Sequence, residues 1–168
     1  MLDDATLHAL LPALRRFARS LTRHDASADD LVQSCLERAL AHGQSRHPDG
    51  DPRAWLFTIL YRQFVDGRRR ERRYGRLLEW LGFQEMPVEP SAERIHLDRE
   101  ALAGLAQLSA EQRALLLLIA VEGMSYREVA QTLDIPLGTV MSRLARARAA
   151  LRQVHEGPVP PSVMRVLK

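Results

Sequence analysis

The stretch from Met124 to Arg148, MSYREVAQTLDIPLGTVMSRLARAR, decides how this chain is read. Ser125 can cap a short helix, and Glu128 three residues later completes a capping box. Val129, Ala130 and Leu133 give that helix an apolar side. Leu133-Asp134-Ile135 then makes a tight break, and Pro136 stands where a second helix would have its first turn. In that second helix Val140, Leu144, Ala147 and Leu151 recur as one helical stripe. The opposite side carries Gly138, Ser142, Ala145 and Arg146, small or hydrogen-bonding groups able to approach a groove. The pattern predicts a helix-turn-helix, with a plain helical hairpin as the alternative.

Working outward, the segment before it is equally helical. Ser109 and Gln112 form another capping box, Ala114 to Val121 is apolar all round, and Gly123 suits a helix stop. At the other end of the chain, Leu7, Leu10, Leu11, Leu14, Phe17, Ala18 and Leu21 fall at helical spacing, with Arg15, Arg16 and Arg19 elsewhere on the helix. Ser27 is positioned to cap a second helix, buried through Leu31, Val32, Cys35, Leu36, Ala39 and Leu40. After a polar loop from His42 to Gly50, Asp51 and Pro52 open a third helix, expected over Pro52 to Arg73. Its first half is apolar (Trp55, Leu56, Ile59, Leu60, Phe64). From Arg62 to Arg76 it carries seven arginines against Asp66 and Glu71, a block that calls for solvent or a polyanion. Aromatics beside cationic groups are a means of holding single strands.

Leu77 to Glu100 has six acids against two arginines and contains Gly82, Pro87 and Pro90, the composition of a linker. The expected fold is therefore all-α: two small helical domains, an N-terminal helical bundle over residues 1–76 and a C-terminal helix-turn-helix domain over residues 102–155. An acidic linker over 77–101 joins them, and a Pro-rich tail follows over 156–168.

The basic complement is 23 arginines and one lysine, Lys168. Arginine forks onto phosphate oxygens as lysine cannot. The single Cys35 fits a reducing compartment and reads as a small core residue. Asp3 and Asp4 stand where a secretory signal would be basic, and the longest apolar run is too short to span a bilayer, so a cytoplasmic location without membrane insertion is expected. His42 and His47 lack further close-spaced metal ligands. No phosphate-cradling glycine loop or nucleophile elbow is present. Neither a metal, a cofactor nor an enzymatic activity is expected. Nucleic acid is the partner these features favour. An autonomous activator or repressor is one alternative, although no dimer seam is evident. A nucleic-acid enzyme built around Asp66 and Glu71 is another.

Three motifs in order resemble the extracytoplasmic-function sigma factors, the small promoter-recognition subunits of bacterial RNA polymerase. Ala28-Asp29-Asp30-Leu31-Val32-Gln33 resembles the family's DAEDLVQ signature. Arg53-Ala54-Trp55-Leu56-Phe57-Thr58-Ile59 through Asp66-Gly67-Arg68-Arg69-Arg70 resembles its WLFTIARN…D…RRR helix. Ser125 to Ala130 with Pro136 to Leu144 resembles its upstream-reading helix-turn-helix. The resemblance implies an alternative sigma factor that binds core polymerase, directs promoter-specific initiation and is controlled by an anti-sigma factor. It places Asp30, Leu31, Val32 and Gln33 on the β′ clamp helices and the second domain near the β flap. Trp55, Tyr61, Arg62, Gln63, Arg69, Arg70 and Arg73 would act at the minus-ten element. Thr139, Met141, Ser142, Arg143, Ala145 and Arg146 would act at the minus-thirty-five element. Three positions depart from the family pattern: Met141 stands where Lys or Arg is common, Gln63 where Asn is usual, and Ser34 where Glu is common.

Overall fold

A computed structural model describes residues 4–41, 51–80, 105 and 107–154. Six helices account for nearly all of them: α1 (Asp4–Thr22), α2 (Asp25–Ala41), α3 (Pro52–Trp80), α4 (Ala110–Ala120), α5 (Tyr126–Leu133) and α6 (Leu137–Val154). Among the described residues there is no strand. The all-α, two-unit architecture is as the sequence implies. The loop at 42–50, most of the 77–101 linker and the 156–168 tail lie outside the described residues.

The first unit packs α1, α2 and α3 around Leu14, Phe17, Leu21, Val32, Cys35, Leu56, Phe57 and Leu60, all buried. Phe17 and Phe57 meet edge to face at 5.1 Å between centroids, an orientation favoured by the ring quadrupoles. Asp51 opens α3 as expected, its Oδ1 accepting from the Arg53 backbone N–H at 3.0 Å.

Two boundaries differ from the sequence reading. Ser27 does not cap α2, which already begins at Asp25. The cause lies in the preceding turn: Arg23 adopts a left-handed conformation with φ 62°, ending α1 abruptly, and Thr22 Oγ1 accepts from the His24 N–H at 3.4 Å. Asp25 is then held by Arg19 at 2.8 Å. At the other boundary α3 continues past Arg73 to Trp80. No proline interrupts Tyr74 to Trp80, so nothing in the backbone stops the helix where the expected linker starts.

The second unit follows its caps closely. Ser109 with Gln112 and Ser125 with Glu128 both form complete capping boxes. Gly123 takes φ 68°, a conformation that glycine adopts without Cβ strain. Asp134 also turns left-handed, at φ 54°, and the α5–α6 turn closes there. Pro136 lies just outside α6, its carbonyl accepting from the Val140 N–H at 3.2 Å. Val140, Leu144 and Ala147 are buried in the same cluster as Leu115, Leu118 and Val129.

The two units are not free of one another. α1 packs on α4, and α3 packs on α5. Glu122, in the turn after α4, is buried with 3% of its side chain exposed, between Arg16 of α1 at 2.8 Å and Arg53 of α3. Arg53 also donates to the Glu122 carbonyl at 2.7 Å. Arg113 of α4 crosses in the other direction. It donates to the Ser20 carbonyl at 2.6 Å and to the carbonyls of Leu21 and Leu108, satisfying the last carbonyls of α1 that have no partner within the helix.

Candidate nucleic-acid interface

α3 presents two kinds of surface. From Arg62 onward it exposes Arg62, Arg69, Arg70, Arg72 and Arg73. Arg68 lies over the Phe64 ring at 5.7 Å, and Arg69 reaches Asp66 at only 3.8 Å with both side chains largely in water, a contact that contributes little. This arginine row is thus available to a polyanion. The aromatics preceding it are less so. Phe57 and Tyr61 are buried, at 0% and 5% exposure, whereas Trp55 and Phe64 are half-buried. Gln63 is half-buried and donates to the Ser34 carbonyl at 3.1 Å.

The second surface is the outer face of α6. Met141, Ser142, Ala145 and Arg146 are exposed, while Thr139 and Arg143 are half-buried. The rigid placement of this face comes from the two capped helices beneath it and from the buried stripe Val140, Leu144 and Ala147. The Arg148 guanidinium donates to the Tyr126 hydroxyl at 3.3 Å, tying α6 to α5.

The two surfaces meet. Tyr61 of α3 lies beside Arg143 of α6 and Glu111 of α4. Burial raises the Tyr61 pKa first and Glu111 adds to that, against the opposing pull of Arg143 and Arg68. Burial also raises Glu111, but hydrogen bonding at the α4 N-terminus, with Arg68 and Arg143, leaves its carboxyl below the ordinary value. Arg62 reaches Asp134 at 3.5 Å, with both groups well exposed. The structure therefore brings Tyr61 and Arg62 of one expected site against Arg143 and the turn of the other. Sequence reasoning kept these sites apart and missed Glu122, Arg113, Arg16 and Arg53 as the residues that join them. The one available signal was Glu122 itself, an acid standing between an apolar helix and Gly123.

On α2, Asp30 and Gln33 are exposed, Leu31 is half-buried and Val32 is buried. Val32 thus supports this surface from beneath. Cys35 is fully buried, and burial pushes its thiol up to about 12, consistent with a core role. Among the described residues no group of three or more His, Cys, Asp or Glu is placed to hold a metal ion. No helix among them is long and apolar enough to cross a membrane.

Two family models match the chain. Residues 7–61 match the model of the sigma2 domain of PhyR, and residues 98–151 match sigma-70 region 4. The chain is 38% identical over 144 residues to the ECF RNA polymerase sigma factor EcfG of Rhodopseudomonas palustris, covering 85% of this chain and 79% of that protein. It is 38% identical over 146 residues to the sigma factor SigL of Mycobacterium tuberculosis, covering 83% and 80%. Among solved structures, the sigma factor RpoE of Bartonella quintana, crystallised with the anti-sigma factor NepR, superposes with a TM-score of 0.71 at 33% identity. That match covers 89% of this chain and 94% of RpoE.

Proposed function

Because the chain belongs to the extracytoplasmic-function RNA polymerase sigma factors, we propose that it grips a promoter at two points, through the arginine half of α3 and the outer face of α6. It does so as a subunit of the polymerase in the cytoplasm, without a catalytic step of its own. The observation that supports this most is the pairing of an exposed arginine row on one unit with a doubly capped, outward-facing helix-turn-helix on the other. Arg69, Arg70 and Arg73 hold the phosphates of the minus-ten strand, and Arg62 and Gln63 lie nearer its bases. Opening that strand takes a base out of the stack at a cost of a few kcal/mol, offset by stacking on protein aromatics. Of the expected aromatics, Trp55 is half-buried, and Tyr61 is covered while the units are packed. Met141, Ser142, Ala145 and Arg146 face the major groove of the minus-thirty-five element, with Thr139 and Arg143 on its flank.

Asp30, Leu31 and Gln33 seat the first unit on the β′ clamp helices over the buried support of Val32, and the second unit sits by the β flap. An anti-sigma protein holds the chain inactive, as the NepR complex of the similar RpoE suggests.

The distances require the units to part. Elements named for positions minus ten and minus thirty-five lie about 25 base pairs apart, or about 85 Å of duplex. Tyr61 and Arg143 are neighbours here. The chain between residues 80 and 105 spans up to about 90 Å when extended, so separation needs no unfolding of either unit. The packed arrangement is then that of the chain off DNA.

The test is reconstitution. Purified protein added to core polymerase yields transcripts from a cognate promoter and from no promoter lacking either element. Failure to bind core polymerase sinks the reading, and tight duplex binding without polymerase favours an autonomous regulator instead.

A further inference from the structure

Leu137, Met141 and Ala145 lie in file along α6, four residues apart on its outer side. Leu137 is 39% and Met141 54% exposed, among the few large apolar side chains left in solvent by the described residues. Beside this ridge runs a second row, Gly138, Ser142 and Arg146, also exposed. A Cβ added at Gly138 would meet nothing within 4 Å, so the backbone there is open to close approach. The inner side of the same helix is filled by Val140, Leu144 and Ala147. The ridge is therefore no overflow of the core.

Its surroundings select the occupant. Between Ser125 and Arg152 there are five arginines against Glu128 and Asp134, an excess of positive charge suited to a polyanion rather than to an apolar protein surface. Duplex DNA offers such a polyanion, and within its major groove one apolar group, the C5-methyl of thymine. The polar side chains next to Met141 are engaged or turned away. The Ser142 hydroxyl donates to the Thr139 carbonyl at 3.1 Å. Arg143 projects about 200° round the helix from Met141, on the flank beside Tyr61. The long, polarizable side chain of methionine adapts to a methyl-lined surface.

We propose that the Leu137–Met141–Ala145 ridge reads thymine methyl groups in the upstream promoter element, selecting A·T pairs beneath Met141, with Arg146 addressing a neighbouring guanine. This assignment rests on α6 being the reader of that element. It replaces the donor that Lys or Arg would supply at position 141 by a contact that counts methyl groups.

The experiment uses holoenzyme assembled from core polymerase and the full chain. Binding sites are selected from duplexes randomised only across the upstream element, and affinity is then measured with each selected thymine replaced by deoxyuridine, which lacks the methyl. The expected loss is about fourfold for each thymine under the ridge, the value of burying one methyl group. In Met141→Ala holoenzyme that loss shrinks toward unity, and Met141→Arg shifts the selected pair toward G·C. Unchanged affinity for the deoxyuridine sites, or equal sensitivity to it in Met141→Ala, overturns the methyl assignment while leaving α6 as the upstream reader. Holoenzyme that initiates transcription yet selects no upstream sequence overturns both.

Discussion

Replacing Glu122 by alanine should loosen the contact between the two units. The Glu122 side chain is 3% exposed and accepts from Arg16 at 2.8 Å and from Arg53. Breaking a fully buried ion pair costs about 3–5 kcal/mol, and an exposed one about 0–1 kcal/mol. The case here falls between, because Arg16 is 50% and Arg53 34% exposed, so both guanidiniums regain water once the carboxylate is gone. Arg53 also keeps the Glu122 carbonyl as an acceptor. The net loss is therefore about 2 kcal/mol. With a urea slope of about 2 kcal/mol per molar, the unfolding midpoint falls by about 1 M. Small-angle scattering supplies the second readout, since a packed globule of this length has a radius of gyration of about 15 Å, and separated units give a larger one. A double-mutant cycle with Arg53→Ala isolates the coupling. A Glu122→Ala protein with an unmoved midpoint and unchanged scattering would refute the idea that this cluster holds the units together.

The remaining expectations are more local. Ser109→Ala and Ser125→Ala should each lower stability by about 1 kcal/mol by removing a cap, read as lower thermal midpoints with the helical signal retained. Cys35, with its thiol pushed up to about 12 by burial, should resist alkylation at pH 8 until urea is added. Its folded pKa lies above the unfolded value of 9.0, so its contribution is full below pH 9 and is lost as pH rises toward 12. Cys35→Ser, followed across that window by denaturant titration, should flatten the decline. Arg69→Ala with Arg70→Ala should impair promoter opening and reduce its salt dependence, leaving upstream duplex recognition little changed. Arg146→Ala should do the reverse, at about 1–3 kcal/mol if a base contact is lost. Equal effects in both assays would argue against separate roles.

Local grammar made most of the helices legible. Two Ser-x-x-Gln/Glu capping boxes, Asp51 before Pro52, and Gly123 all act where the sequence places them, because each satisfies backbone groups within a few residues of itself. Ser27 was misjudged for the same reason in reverse. It has the chemistry of a cap, but the left-handed turn at Arg23 had already started α2. The outer face of α6 was also readable, since a stripe of Val140, Leu144 and Ala147 fixes what lies opposite. Tyr61 was not, because it lies beside Arg143 and Glu111 of the second unit, which α3's own periodicity does not announce.

What could not be read was the contact between the units, and its chemistry explains why. Arg16, Arg53, Arg62, Arg113, Glu111, Glu122 and Asp134 all reach across it or toward it, and each is a residue type that sequence patterns assign to solvent. Charged groups at an interface leave no hydrophobic period, so nothing in the sequence marks them as paired. The same property bears on function. The buried apolar residues of both units belong to one cluster, and any of that area exposed on opening costs about 25 cal/mol per Å². A carboxylate and its arginines instead exchange one another for water and lose far less. Contacts between domains that separate are characteristically polar. For a chain proposed to reach across about 25 base pairs and to pack the same two helices together when alone, the charged part of the seam is the part that loses least on opening.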